Sequence, residues 1–349
     1  MTRIAAVHGA LPRHRYAQSE LTEAFVRGWG LAGAKRALLE RLHRNVGVEF
    51  RHLALPVPRY IEISGFREAN DAYVAAALDL AAEAADAALA EAGAAPAEVD
   101  MILLVSTTGV AAPSLDARLV ERLGLRHDVK RLPVFGLGCA GGVAGIARVH
   151  DLLRGWPGQT ALLLSVELCS LTLQRDDLSV ANFVGSALFG DGAAAVVARG
   201  AARESAGPAV VATRSRFYPG TGHVMGWQVS EKGFQVMLDP GIPDLVRTHL
   251  AGDVDDFLAE HGLTTKDITA WVCHPGGPKV LEAITETLDL PPDALDVTWR
   301  SLARNGNLSS ASVLHVLRDT LARRPEPGTP GLLLALGPGF AAELVLLRW

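Results

Sequence analysis

The chain has 349 residues, of which 49% are hydrophobic and 20% are charged, so it can bury a large core and is not an intrinsically disordered protein. Its net charge of −5 gives no overall electrostatic attraction to nucleic acid, which argues against that class of partner. Its three cysteines are an odd number and contain no CxxC pair, so we expect neither a disulfide framework nor a metal site.

Neither end of the chain has the pattern of a membrane segment. Residues 1–16 lack the sustained apolar run of a signal peptide. The most apolar stretch, residues 331–349, is interrupted by Gly337, Pro338 and Gly339 and carries Glu343, which predicts two short buried strands and not a membrane span. We therefore expect a soluble, cytoplasmic protein.

Helices and apolar runs alternate along the first half of the chain. An alanine-rich helix is predicted over 72–93, where a glycine ends it, and a buried strand follows over 101–107. A helix from about Ser114, a strand over 132–137, a turn at Cys139, a second helix and a strand over 160–168 come next. This order predicts an α/β fold.

The second half repeats this order, which predicts a duplicated fold. "EVDMILLVSTTG" from residue 98 resembles "DITAWVCHPGG" from residue 267, an offset of 169. "GCAGGVAGIARVHDLL" from residue 138 resembles "GNLSSASVLHVLRDTL" from residue 306, an offset of 168. Repeats of this length are structural units, so we expect two halves, residues 1–205 and 206–349, related by a pseudo-twofold axis. The alignment places Cys139 and Asn307 at equivalent turns near that axis, with His274 at a strand end nearby.

Each of these three side chains has a functional and a structural interpretation. Cys139 at a helix N-terminus would have its pKa lowered toward the reactive thiolate, but a free cysteine is as often a small core residue. His274 could hold a catalytic imidazole or only cap its turn, and Asn307 could be a helix N-cap. Together they supply a nucleophile and two hydrogen-bond donors for an oxyanion or an enolate. The remaining cysteines, Cys169 and Cys273, are interpreted as core residues.

Five stretches of the sequence resemble the type III polyketide synthases of bacterial type, the chalcone-synthase-like family of the thiolase superfamily. They are "GCAGG" at Cys139, "GSALFGDGAAAVV" from Gly185, "HPGGPKVLEAI" from His274, "GNLSSASVL" from Gly306 and "LGPGFAAELVLL" near the end. The resemblance implies a thiolase-like, five-layered αβαβα fold and a homodimer. It also implies that no metal, cofactor or carrier protein is needed, and that an acyl-CoA starter and malonyl-CoA are the substrates.

The resemblance assigns roles to the residues of this chain. Cys139, His274 and Asn307 become the catalytic triad: Cys139 takes the starter acyl group, His274 helps to keep it as thiolate, and His274 with Asn307 holds malonyl-CoA while CO₂ leaves. Phe189 matches the aromatic gatekeeper between the CoA tunnel and the cavity, with ordinary aromatic packing as the alternative. The positions that match the family's cavity wall, where packing or capping is the alternative, are Thr108, Ala112, Thr172, Gly226, Val236 and Ser309.

CoA requires positive charge for its phosphates. Arg41, Arg44 and Arg51 lie on or beside one predicted helix and are candidates for that contact, although a solvated basic face is equally consistent with them. The glycines that follow the histidine, Gly276 and Gly277, are the other candidate CoA contacts.

Two departures from the plant pattern favour a long acyl starter. Val236 stands where the family has a second phenylalanine, and Ala112 stands where the plant enzymes have methionine and the naphthalene-forming bacterial enzymes have cysteine. Because smaller wall residues enlarge a cavity, we expect a synthase that extends fatty acyl-CoA into alkylpyrones or alkylresorcinols. The alternatives are a naphthalene-forming synthase, a ketoacyl synthase III that condenses once and uses a carrier protein, and a silent homologue that acts as a binding partner.

Overall fold

The chain forms thirteen strands in the computed structural model, which describes residues 1–349. Nine of the strands make one sheet, and the other four make two separate pairs. The strands are β1 (Arg3–Ala10), β2 (His14–Ala17), β3 (Phe50–Leu53), β4 (Met101–Val105), β5 (Lys130–Val134), β6 (Thr160–Leu168), β7 (Asp191–Arg199), β8 (Ala209–Phe217), β9 (Met225–Ser230), β10 (Gly233–Leu238), β11 (Ala270–Cys273), β12 (Pro330–Gly337) and β13 (Ala341–Arg348). The two strands predicted for the C-terminal stretch are confirmed as β12 and β13.

Eleven α-helices connect and cover these strands. They are α1 (Gln18–Gly28), α2 (Gly33–Asn45), α3 (Val57–Glu62), α4 (Phe66–Glu91), α5 (Leu115–Arg122), α6 (Gly141–Gly155), α7 (Val180–Leu188), α8 (Ile242–Ala259), α9 (Pro278–Thr287), α10 (Asp296–Asn305) and α11 (Ser312–Ala322). The alanine-rich helix α4 begins six residues before its predicted start, because Gly65 and not the alanine run marks its N-terminus. No helix has the length and apolar character needed to cross a membrane.

The nine-stranded sheet consists of two half-sheets joined at one edge. Its order is β11-β12-β13-β8-β1-β7-β6-β4-β5, and the junction between β1 and β8 has a single register pair, Arg3 with Ala209. Five strands on one side belong to the first half of the chain and four on the other side to the second half. The predicted division between residues 205 and 206 falls in the loop that connects β7 to β8.

Three hydrophobic cores separate five layers. Strand side chains alternate in direction, so Leu103 of β4 faces the central helices and Leu104 faces the outer helices. The central core joins α6 and α11 to strands of both half-sheets. The two outer cores pack α4 and α5 on one half-sheet and α8 and α9 on the other. The predicted αβαβα arrangement is therefore confirmed.

The duplicated turns match in a different register from the one the sequence suggested. A 3₁₀ turn, Gly138–Ala140, precedes α6, and a second 3₁₀ turn, Ser309–Ala311, precedes α11, an offset of 171 residues and not 168. The first residues of the two turns share a left-handed backbone, with φ of 46° at Gly138 and 49° at Ser309. Cys139 therefore corresponds to Ser310, and its predicted equivalence with Asn307 is wrong by three residues. Gly306, which the sequence comparison paired with Gly138, lies at a separate bend of the chain that precedes this turn.

Candidate active site

A cavity of about 780 Å³ lies where the turns of the two halves meet. Its walls are mostly hydrophobic, and a few polar side chains come together around one thiol. The predicted site residues that line it are Cys139, His274, Asn307, Phe189, Gly226, Val236, Ser309, Arg41, Gly276 and Gly277. Residues more than a hundred positions apart in the sequence therefore share one site.

Cys139 is the middle residue of the 3₁₀ turn that precedes α6. A hydrogen bond holds this turn in place, because the Gly138 N–H donates to the Thr107 hydroxyl oxygen at 3.1 Å. The Cys139 thiol faces the cavity and lies 3.8 Å from the Ser309 hydroxyl. Separation from bulk water raises the pKa of the Cys139 thiol to about 12, and the neighbouring Glu167 carboxylate adds to this rise. The expectation of a lowered pKa is therefore wrong for the thiol considered without a base, because the rise caused by burial exceeds the lowering caused by the Ser309 hydrogen bond.

His274 follows β11 and is held by its backbone, whose N–H donates to the Leu334 carbonyl oxygen at 2.8 Å. Its side chain is 5% exposed, and neither ring nitrogen has a hydrogen-bond partner in the protein. Burial lowers the pKa of His274 to about 3, so the ring is a neutral imidazole. One nitrogen can accept a proton and the other can donate a hydrogen bond to a bound group.

Backbone hydrogen bonds and one hydrogen bond to the side-chain amide oxygen fix the position of Asn307. Its N–H donates to the Leu188 carbonyl at 2.9 Å, and its carbonyl accepts from the Gly190 N–H at 3.0 Å, which makes a short bridge to the Phe189 segment. The Asn307 Oδ1 accepts the Ser309 N–H at 2.8 Å. Because the oxygen is occupied in this way, Nδ2 is the side of the amide that can donate into the cavity, and a hydrogen bond from the Asn307 side chain lowers the pKa of the Cys139 thiol.

A buried carboxylate beneath the thiol is a feature that the sequence interpretation missed. Glu167 is fully buried and accepts hydrogen bonds from the Thr107 N–H at 3.0 Å, the Thr108 hydroxyl at 2.9 Å and the Ser310 hydroxyl. Burial raises the pKa of Glu167, and these hydrogen bonds oppose the rise. Thr108, predicted as a cavity residue, belongs to this network and does not line the cavity.

Two other elements make the apolar walls. One face of α7 contributes Val184 and Leu188, and the β9–β10 hairpin contributes Trp227 and Val236. The indole N–H of Trp227 donates to the Thr107 carbonyl at 3.0 Å, so this wall is anchored to the strand end beside the nucleophile turn. The sequence interpretation missed Trp227, because the family resemblance pointed only to its neighbour, Gly226.

Three other sequence expectations differ from the structure. Thr172 does not reach the cavity; it borders a separate small pocket, and its hydroxyl donates to the Cys169 carbonyl at 2.8 Å. Ala112 is exposed on the loop before α5 and does not line the cavity of its own chain. Cys169 is buried but lines the cavity, so it is not a core residue alone, whereas Cys273 lies wholly in a core.

Only some of the candidate CoA contacts lie at the cavity. Arg41 lines the cavity, but Arg44 lies exposed on α2 outside it. Arg51 is almost fully buried on β3, where it cannot reach a phosphate at the surface. A second cation at the cavity, Lys279 in the first turn of α9, was not predicted.

Comparisons with known proteins agree with this geometry. The family models for the N-terminal and C-terminal domains of chalcone and stilbene synthases match residues 1–202 and 209–349. A 1,3,6,8-tetrahydroxynaphthalene synthase of Streptomyces peucetius subsp. caesius is 61% identical over 100% of this chain and 93% of its own length. A phloroglucinol synthase of Pseudomonas fluorescens is 31% identical over 100% of this chain and 99% of its own. The crystal structure of a Streptomyces coelicolor tetrahydroxynaphthalene synthase, 32% identical, superposes with a TM-score of 0.95 over 99% of both chains.

Proposed function

Since this chain belongs to the chalcone and stilbene synthase family, the type III polyketide synthases, we propose that it builds a hydroxylated naphthalene from malonyl-CoA. Members of the family are acyltransferases that join CoA thioesters by decarboxylative Claisen condensation without a cofactor. The observation that carries the proposal is the 61% identity, along the whole chain, to a tetrahydroxynaphthalene synthase.

The expected fatty acyl starter receives no support. It depended on Val236 and Ala112 as small residues of the cavity wall, but Ala112 lies on the surface of the chain. The comparisons instead support the naphthalene-forming alternative. A naphthalene skeleton has ten carbons, which corresponds to five two-carbon units, so a two-carbon starter formed by decarboxylation of one malonyl-CoA would be extended four times by four further malonyl-CoA molecules.

The first step of the proposed mechanism is acyl transfer to Cys139. His274 takes the thiol proton, and the sulfur attacks the starter thioester carbonyl. The carbon–sulfur bond to CoA then breaks, and CoA leaves as its thiol with that proton. Because the site excludes bulk water, the charged sulfur exists only while the protonated imidazole accompanies it.

The second step is decarboxylation and condensation. His274 and the Asn307 Nδ2 donate hydrogen bonds to the thioester oxygen of malonyl-CoA, while the bond to its carboxylate breaks and CO₂ leaves. The electron pair stays as an enolate, whose carbon attacks the acyl group on Cys139 and releases the cysteine sulfur. The lengthened chain, now on CoA, returns to Cys139 for the next cycle.

The remaining predicted residues have proposed roles around this reaction. Phe189 separates the entrance from the inner cavity, and Ser309 contacts the Cys139 sulfur. Gly226 and Val236 border the space for the growing chain. The contacts proposed for CoA at the entrance are Arg41, Lys279, Gly276 and Gly277, all of which line the cavity.

We further propose that the protein is a homodimer that pairs near β5. This strand lies at the edge of the sheet, and the hydrophobic residues Val110, Leu132 and Phe135 around it are exposed. Asp116 is fully buried nearby, where it pairs with Arg131 of β5 at 3.4 Å but accepts no hydrogen bond within the chain. The molar mass in solution, measured by light scattering, tests this proposal, and a monomeric mass contradicts it.

Incubation with malonyl-CoA alone, followed by mass spectrometry, tests the proposed function. Tetrahydroxynaphthalene formation without any other thioester or carrier protein is the expected result. A product that appears only when a fatty acyl-CoA is added would overturn the proposal in favour of the long starter. A requirement for a carrier protein would indicate a single-condensation ketoacyl synthase, and the absence of any turnover would indicate a silent homologue. Cys139→Ala is the matched negative control.

A further inference from the structure

Three successive carbonyl groups at the C-terminal end of α7 are each held by a group from another part of the chain. The Ala187 carbonyl accepts the Gln18 side-chain amide at 2.8 Å, and the Leu188 carbonyl accepts the Asn307 N–H at 2.9 Å. The Phe189 carbonyl accepts Nη1 of Arg51 at 3.0 Å. The last carbonyls of a helix have no partner within the helix, so these contacts decide where the segment ends and where the Phe189 ring stands.

Arg51 makes two of its hydrogen bonds inside this arrangement. Its Nε donates to Gln18 Oε1 at 2.9 Å, so the two side chains form one unit that holds carbonyls on both sides of Leu188. Arg51 is 1% exposed, and its Nη2 has no hydrogen-bond partner. Burial lowers the pKa of Arg51 to about 9, and the buried Asp191 carboxylate opposes that shift. Burying a cation with an unpaired donor costs free energy that an apolar side chain in the same space would not cost, which points to a role beyond packing.

The stem of Arg51 also touches the segment that carries Asn307. A Cβ placed on Gly306 would lie 3.2 Å from Cγ of Arg51 and 2.7 Å from the Leu188 carbonyl oxygen. Gly306 immediately precedes Asn307, and Asn307 pairs with Phe189 in a parallel bridge. Arg51 therefore contacts both strands of the bridge that joins the gatekeeper to the triad.

We propose that Arg51 and Gln18 form a buried clamp that sets the positions of Phe189 and Asn307 relative to Cys139. Both are positioning residues, since neither lines the cavity or touches a reacting atom. The inference rests on the proposed function, because the step it serves is the decarboxylation of malonyl-CoA. That step needs the Asn307 amide within hydrogen-bond distance of the thioester oxygen, and a misplacement of about 1 Å can cost up to about 100-fold in rate.

Arg51→Lys is the first test. Lysine keeps the positive charge, but its single ammonium group cannot reproduce the planar fork that holds Gln18 and Phe189 together. We expect kcat for acetyl-CoA release from malonyl-CoA to fall about tenfold or more, while KM stays within about threefold. The rate at which iodoacetamide alkylates Cys139 should stay within about twofold, because the nucleophile turn is anchored by Thr107 and not by the clamp.

Arg15→Lys is the matched control. It makes the same change in the same β2–β3 pair, but at an exposed side chain that stacks on Phe50. This variant should retain wild-type decarboxylation, and products of both variants should be compared by mass spectrometry. For Arg51→Lys we expect a larger share of shortened chains, since Phe189 borders the space through which they leave.

Gln18→Glu is the second test and covers the case in which Arg51→Lys does not fold. It keeps an acceptor for Arg51 but removes the donor to the Ala187 carbonyl. The clamp is refuted if either variant, counted per alkylatable Cys139, decarboxylates malonyl-CoA at the wild-type rate. It is also refuted if alkylation falls in parallel with catalysis, which would indicate a general loss of structure. Acetyl-CoA release is measured independently of the final product, so a wild-type enzyme that makes no tetrahydroxynaphthalene refutes the proposed function and not the clamp.

Discussion

His274→Gln measures what the imidazole contributes to the reactivity of Cys139. Without a base, burial holds the pKa of this thiol at about 12. At pH 7 such a thiol would be ionised to roughly 1 part in 10⁵, against roughly 1 part in 100 for a cysteine at the ordinary pKa of 9.0. The thiolate is the nucleophile, so the isolated thiol would react about a thousandfold more slowly than an exposed cysteine.

On the proposed mechanism His274 changes this result, because proton transfer from Cys139 would produce a pair of opposite charges. Burial opposes an isolated thiolate and also opposes an isolated imidazolium, whose pKa falls to about 3. As a pair the two charges compensate each other, and the thiol and the imidazole then titrate as one unit. We therefore expect the wild-type thiol to react near neutral pH.

The assay is the alkylation rate with iodoacetamide between about pH 5.5 and pH 10. Peptide mass spectrometry follows Cys139 and uses the fully buried Cys273 as an internal reference. The wild type should react at pH 7 with little pH dependence. His274→Gln should be at least about 100-fold slower at pH 7, and its rate should rise about tenfold per pH unit, because the raised pKa keeps the thiol protonated until the pH approaches it.

His150→Gln is the control for replacing a buried histidine outside the cavity, and it should leave the profile unchanged. Equal profiles for the wild type and His274→Gln would refute the reasoning, since the thiol would then ionise without this base. Thermal unfolding of each variant shows whether the comparison is made between folded proteins.

Three other changes test separate parts of the structure. Asn307→Asp keeps the acceptor for the Ser309 N–H but loses the Nδ2 donor. The rate of acetyl-CoA release should therefore fall about 100-fold, while the alkylation rate of Cys139 is retained. An unchanged rate of acetyl-CoA release would contradict the role of the amide. Gly142→Ala places a Cβ 2.3 Å from a backbone carbonyl oxygen of the second 3₁₀ turn, so it should lower the free energy of unfolding in urea by about 2 kcal/mol. Gly155→Ala, whose Cβ would meet open space, is the control and should lower it far less. Equal losses of unfolding free energy would contradict the close approach at Gly142. Trp227→Ala enlarges the cavity and should raise kcat/KM for a hexanoyl-CoA starter about tenfold, and an unchanged starter preference would show that this wall does not limit the chain.

Local features of the sequence predicted a large part of the fold. The buried runs at β4, β6, β12 and β13 are strands because each is a continuous apolar stretch bounded by turn residues. The repeated order of elements predicted two halves, and the family motifs pointed to Cys139, His274 and Asn307, which the structure brings to one cavity. These features could be recognised because backbone periodicity and motif spacing are properties of the chain itself.

Burial and contacts between distant segments were decided by the tertiary structure alone. In the sequence Arg51 resembles the neighbouring Arg41, yet one side chain is buried against the Phe189 carbonyl and the other lines the cavity. Likewise, the helix N-terminus predicted a low pKa for Cys139, whereas the surrounding protein raises it. In both cases part of the environment comes from segments more than a hundred residues away, the Phe189 carbonyl for Arg51 and the Ser309 hydroxyl for Cys139. The cost of removing a charge from water depends on that packing, and it therefore appears only in the folded chain.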